Sequence, residues 1–320
     1  MTEPAAATAD AVRAKTIRVA NAPVSFGVDE LLPADAWMPK PDEVIDLIAE
    51  LDYEGTELGP PGFLGDPSVV RSRLAERGLA LVGSFLPLNF ADEALFARDL
   101  EWLRGVLPTV RDSAPDPSTV MAILSDGFDA PARLQFAGRI PEHPEAWLPE
   151  NRWPSFMANL HRAGETCREA GFRVSIHPHA GTYLETEPEI RRMMDGLDTS
   201  VVGLCLDTGH VRFGGGDPVA LARDYADLIT HVHLKDCRSA VIREVAATGG
   251  GMEEDLRAGA FVDLGDGDSA IAEVIDVLRD RGYAGWMVVE QDSRLLGSDT
   301  IERLRNSQRK NREFLRGLGL

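Results

Sequence analysis

Seven histidines occur in the chain, and five of them fall in three short stretches. His177 and His179 lie in VSIHPHAGTYLET, His210 in LCLDTGH, and His231 and His233 in HVHLKD. On residue type alone, the pair flanking Pro178 reads as metal ligands, acid–base groups or polar residues closing a strand. Carboxylates accompany them: Asp207 ends VVGLCLD, Glu290 ends WMVVE, Glu57 ends GTE, and Asp236 follows Lys235. A carboxylate at the end of an apolar run is costly when buried without a partner, so each demands a cation or a donor. A divalent metal answers that demand. Mixed imidazole and carboxylate ligands suit manganese, cobalt, iron or zinc, whereas calcium and magnesium prefer oxygen alone.

Something must bring these stretches together. From residue 17 onward, short β-branched runs alternate with segments of helical period. The runs are IRVANAP (17–23), GTELG (55–59), ALVGSFL (80–86), STVMAIL (118–124), RVSIHPH (173–179), VVGLCLDTGH (201–210), ITHVHLKD (229–236) and GWMVVEQD (285–292). Eight such runs with continuous apolar cores predict parallel strands buried on both faces, closed into a single (β/α)8 TIM barrel. All five histidines then stand at the C-terminal ends of strands, where barrel enzymes gather their chemistry. Alternation places His177 and His179 on one face of strand five, and His231, His233 and Lys235 on one face of strand seven. Long excursions after strand four (about 126–151) and strand seven (about 238–268) are expected to act as lids or interfaces. Trp37, Trp147 and Trp153 stand in loops, suited either to stacking on a sugar ring or to packing as lids. The closing helix at 302–317, rich in Arg and Lys, reads as a solvated face or an oligomer contact.

The bulk numbers exclude some functions. The chain has 320 residues, is 44% apolar and carries a net charge of -19, which repels phosphates and argues against nucleic acid or an anionic membrane as partner. No run is long enough to span a bilayer, and residues 1–16 read as a disordered leader before one barrel domain at 17–320. Three scattered cysteines (Cys167, Cys205, Cys237) form no disulfide framework and fit a reducing cytoplasm. No Gly-x-Gly-x-x-Gly follows the first strand, which removes the simplest reason to expect a dinucleotide.

The stretches LCLDTGH, HVHLKD and GWMVVEQD resemble the sugar isomerase/epimerase superfamily of xylose-isomerase-like barrels. NAPVSFG (21–27), GTELGPPGFLG (55–65), HPHAGTYLET (177–186) and YAGWMVVEQD (283–292) are similar, more narrowly, to its inosose dehydratase branch. The resemblance implies one divalent metal, manganese first, with cobalt, iron and zinc as alternatives. By motif its ligands are His177, Asp207, His233 and Glu290. His177 stands where the superfamily has a glutamate, a departure shared with the HPH form of the dehydratase branch; His179 and Glu57 are alternatives for completing the shell. The implied reaction is loss of water from a keto-polyol such as 2-keto-myo-inositol, with His179, His210, Lys235 and Glu57 as candidates for base and acid. The same enediolate would also serve keto-sugar isomerisation or epimerisation, or β-elimination from 3-keto O- or C-glycosides. A homo-oligomer or a second subunit is compatible with the branch, and a metal-free binding barrel is the alternative from another class. A nuclease reading fails on charge and on histidine placement, since none precedes His143.

Overall fold

The structure, a computed structural model, describes residues 16–28, 38–292 and 300–320. Seven parallel strands come in chain order: β1 (Arg18–Asn21), β2 (Gly55–Glu57), β3 (Ala80–Leu88), β4 (Met121–Asp126), β5 (Arg173–Ile176), β6 (Gly203–Asp207) and β7 (Ile229–Leu234). Two short strands follow, β8 (Asp236–Cys237) and β9 (Phe261–Val262), paired antiparallel beside the barrel. The last strand, β10 (Trp286–Val289), then pairs with both β7 and β1, so that eight parallel strands close a barrel as expected. Register slips at two places, between Thr56 and Glu57 opposite β3 and between Leu204 and Cys205 opposite β7. The leader expected at 1–16 lies, except for Thr16, outside the described residues, as does Trp37.

Helices follow the barrel strands, and local side-chain chemistry starts some of them. Asp92 accepts from the backbone of Ala94 and Leu95 to cap Glu93–Ser113, and Thr186 forms a reciprocal capping box with Glu189 at the head of Glu187–Gly196. Their apolar stripes bury Leu100, Leu103, Ile190, Met193 and similar residues against the outer face of the sheet. The barrel interior is smaller and holds Met121, Ile123 and Cys205 against Phe85. Cys205 is the small buried apolar residue its context suggests, and burial pushes its thiol up to about 11.

Three expectations need correction. The sixth strand ends at Asp207, three residues before His210; the Asp207 carboxylate accepts from the backbone N–H of His210 at 2.8 Å and turns the chain into the helix Thr208–Phe213. The two excursions carry their own elements. The first contains the helix Pro131–Gln135, and the second the helices Ser239–Ala247 and Met252–Ala258 with β9. They pack on each other through Arg139, which donates to the carbonyls of Ala246 and Gly250 at 2.8 and 3.0 Å. The closing helix, Thr300–Gly317, is not simply a solvated face. Gln308 and Asn311 are buried and bonded to Asn21, Gln291 and the backbone of Leu264, so it packs on the barrel through a buried polar seam.

Candidate active site

The C-terminal ends of the strands converge as expected. At the end of β2 the buried Glu57 uses Oε1 to accept from His231 Nε2 at 2.8 Å and from His233 Nε2 at 3.0 Å. The other nitrogen of His233, Nδ1, lies 3.1 Å from Glu290 Oε2 and 3.7 Å from Asp207 Oδ2. His177 follows β5 and brings Nε2 to 3.3 Å from Asp207 Oδ2. Asp207, His233 and Glu290 offer donor atoms within 4.8 Å of one another, and so do His177, Asp207 and His210.

A second cluster adjoins the first. His179 donates from Nδ1 to its neighbour's carbonyl, Ala180 O, at 2.7 Å, which leaves Nε2 as the nitrogen with a free lone pair. Its ring lies 3.6 Å from that of His210, between centroids. Lys235 Nζ lies 2.9 Å from His210 Nε2 and 2.8 Å from Asp292 Oδ1, and it approaches Glu290 Oε2 at 3.3 Å. Gly209 makes room for that lysine, since a Cβ there would stand 2.5 Å from Lys235 Cγ.

Electrostatics divide the groups by role. Burial opposes ionisation of Asp207, Glu290 and Glu57, but the surrounding imidazoles, and Lys235 beside the first two, hold all three carboxyls below their usual range. Burial opposes the ammonium of Lys235 as well, yet Asp292, Asp207 and Glu290 outweigh it and keep the amine protonated. For His177, His179, His210 and His231, burial dominates and favours the neutral ring.

These residues fit a divalent cation. His233 Nδ1 is buried and has no hydrogen-bond partner, although two carboxylates stand within 4 Å of it. A bare lone pair facing two carboxylate oxygens is repulsive unless a proton or a metal lies between them. The donors are imidazole and carboxylate, with a second imidazole at His177, which is a set for a first-row transition metal rather than for calcium or magnesium.

Of the residues singled out in the sequence, His177, His179, His210, Glu57, Asp207, His231, His233, Lys235 and Glu290 all meet here. Asp236 does not. One residue beyond Lys235, it faces away and accepts from the backbone of Gly265, Gly267 and Ser269. Trp147 and Trp153 line a separate groove with Arg192, and the phenyl rings that line the pocket at the site are those of Phe85 and Phe128. The Phe128 ring meets His179 edge-on at 4.9 Å. Met252 and Leu256 of the second excursion also wall the pocket. Asp292 is not among the residues singled out in the sequence, although its spacing of two from Glu290 in VVEQD is the signal for it.

The chain resembles known proteins over most of its length. The chain is 32% identical over 275 residues to an inosose dehydratase of Geobacillus kaustophilus, covering 86% of this chain and 87% of that protein. It is 36% identical over 278 residues to an inosose dehydratase of Clostridium tetani, covering 86% and 90%. Among solved structures it superposes on the IOLI protein with a bound zinc atom at a TM-score of 0.66, with 13% identity and coverage of 94% and 97%, a likeness of fold. Residues 45–318 match the family described as xylose isomerase-like TIM barrel, and the chain belongs to that family.

Proposed function

We propose that the protein is a metal-dependent lyase that removes a proton next to a ketone and eliminates water from a keto-polyol such as 2-keto-myo-inositol. The observation that carries this reading is the orphaned, buried Nδ1 of His233 between Asp207 and Glu290, behind a pocket that Glu290 lines together with the His177 and His179 imidazoles and the Lys235 ammonium. Two relatives named inosose dehydratase, matched over most of both chains, support the substrate class. His177, Asp207, His233 and Glu290 would hold the ion, for which the proposed identity is manganese, because two carboxylates make the set harder than an all-imidazole one. Bound there, the ion supplies a Lewis acid for the ketone and its enediolate.

The chain's own groups perform the rest. Phe85 and Phe128 offer an apolar wall for one face of a carbocyclic ring. His179 Nε2, with its partner nitrogen committed to Ala180 O, takes the α-proton. The electrons of the broken C–H bond form the enediolate double bond, and their return expels the β-hydroxyl. The proton now on His179 is delivered to that departing oxygen, so water leaves and the imidazole is neutral again. Lys235, held by Asp292, donates to a substrate oxygen and steadies its negative charge.

The test is incubation of metal-stripped protein, with and without Mn2+, with inososes and 3-keto glycosides in D2O. Manganese-dependent water loss from an inosose is expected. Deuterium exchange without product would assign the same proton abstraction to a substrate with another leaving group, and no exchange across the panel would overturn the proposal.

A further inference from the structure

Glu57 is poorly placed to transfer protons, because its Oε1 is already occupied by two imidazoles. We infer that Glu57 is a positioning residue that locks His231 and His233 as Nε2–H tautomers and thereby aims the bare Nδ1 of His233 at the cation; this rests on the metal-dependent reading above. One carboxylate oxygen can accept from both rings only if each Nε2 carries its hydrogen. With that nitrogen committed, His233 has only Nδ1 left, and Nδ1 is the atom that faces Asp207 and Glu290. A carboxylate behind a ligating imidazole fixes ring orientation and raises ligand basicity.

The fold is shaped around this contact. Both register slips in the barrel fall on it. The slip in β2 sets Glu57 opposite Gly83 instead of Val82, and a bulge of this kind re-aims a side chain. At Gly83 a Cβ would stand 3.0 Å from Glu57 Oε1 and 2.6 Å from Ile123 Cδ1, so only glycine leaves the carboxylate its seat. The slip in β6 skips Thr230 and brings His231 beside Cys205 and His233 beside Asp207. Two independent irregularities thus serve one three-residue clamp.

The test is metal binding, not turnover. Glu57→Gln keeps an oxygen with two lone pairs but loses the negative charge that strengthens both N–H bonds and the basicity of His233 Nδ1. Titration of metal-free wild type and E57Q with Mn2+ by calorimetry is expected to show one site weakened by about 10- to 100-fold, with matching circular dichroism. A wild-type readout stands even if the variant does not fold. With 15N-labelled histidine and Zn2+ bound, His233 should be ligated through Nδ1 while its Nε2 proton and that of His231 persist. E57Q binding Mn2+ within twofold of wild type, or ligation through His233 Nε2, overturns this inference alone. A wild type that takes up neither metal overturns the metal-dependent reading and this inference with it.

Discussion

His179 and Lys235 divide the work at the pocket through fixed hydrogen bonds rather than through residue type. The bond from His179 Nδ1 to Ala180 O decides which nitrogen meets the substrate, so His179→Asn removes the base while leaving Asp207, His233 and Glu290 in place. We expect kcat to fall by about 10²- to 10⁴-fold with Mn2+ affinity unchanged by calorimetry; a variant retaining more than about a tenth of wild-type kcat would give the base another identity. Asp292 lines the pocket, holds the Lys235 ammonium at 2.8 Å and lies 3.8 Å from His210 Nε2. Asp292→Asn exchanges a charge-assisted bond for a neutral one, and we expect a loss of roughly tenfold in kcat/KM, mostly in KM. A selective loss of kcat would instead place Asp292 on the proton path. The histidines and carboxylates of this site were legible because each stands at the end of an apolar run, where its presence needs a reason. The division of roles was not, because whether Glu57 is base, ligand or clamp depends on which nitrogens face it, and spacing carries no tautomer.

The strands were legible as runs, since parallel strands buried on both faces are continuously apolar, whereas their ends depended on side chains. The VVGLCLDTGH stretch could not announce that Asp207 would cap a helix and lift His210 out of the strand. The excursions were legible only as long insertions, and what ties them down is a buried cation. Arg133, with its side chain fully buried, reaches Glu189 with two bonds of 2.8 and 2.9 Å, and the same Glu189 closes the capping box on Thr186. The first excursion is thereby fastened to the helix Glu187–Gly196, while Arg139 fastens it to the second. Breaking a buried pair from one side leaves an uncompensated charge, so Arg133→Met is expected to cost about 3–5 kcal/mol by denaturant unfolding. Limited proteolysis should then cut first within 126–151. An unchanged midpoint and cleavage pattern would mean that the excursion is held by its apolar contacts with Ile242 and Met252 instead.

At the scale of the molecule, a net charge of -19 says little about where the negative charge is tolerated least. Three carboxyls away from the proposed metal ligands answer that. Burial raises Asp126, Glu185 and Asp255 each to about 7, and for Asp255 the neighbouring Glu185 adds to it. Asp126 accepts from the backbone of Phe90 and Tyr183, Glu185 accepts from Gly138 of the first excursion and from Gly181, and Asp255 sits in the helix Met252–Ala258 of the second. In the unfolded chain such groups ionise near pH 4. Between about 4 and about 7 the folded state therefore binds more protons, and the stability present at the acid end is lost as pH rises through 7. The neutral imidazoles of the site work in the opposite sense below pH 6.5, because unfolding lets them take up protons, so the wild-type curve alone mixes the two. Glu185→Gln separates them. Relative to wild type its free energy of unfolding should increase, making the variant comparatively more stable, by on the order of 2 kcal/mol between pH 5 and pH 8, as the buried charge it lacks is formed in the parent. Denaturant titrations of both proteins in EDTA at the two pH values measure that difference directly, and a gap that stays constant would mean that Glu185 ionises at its ordinary pH.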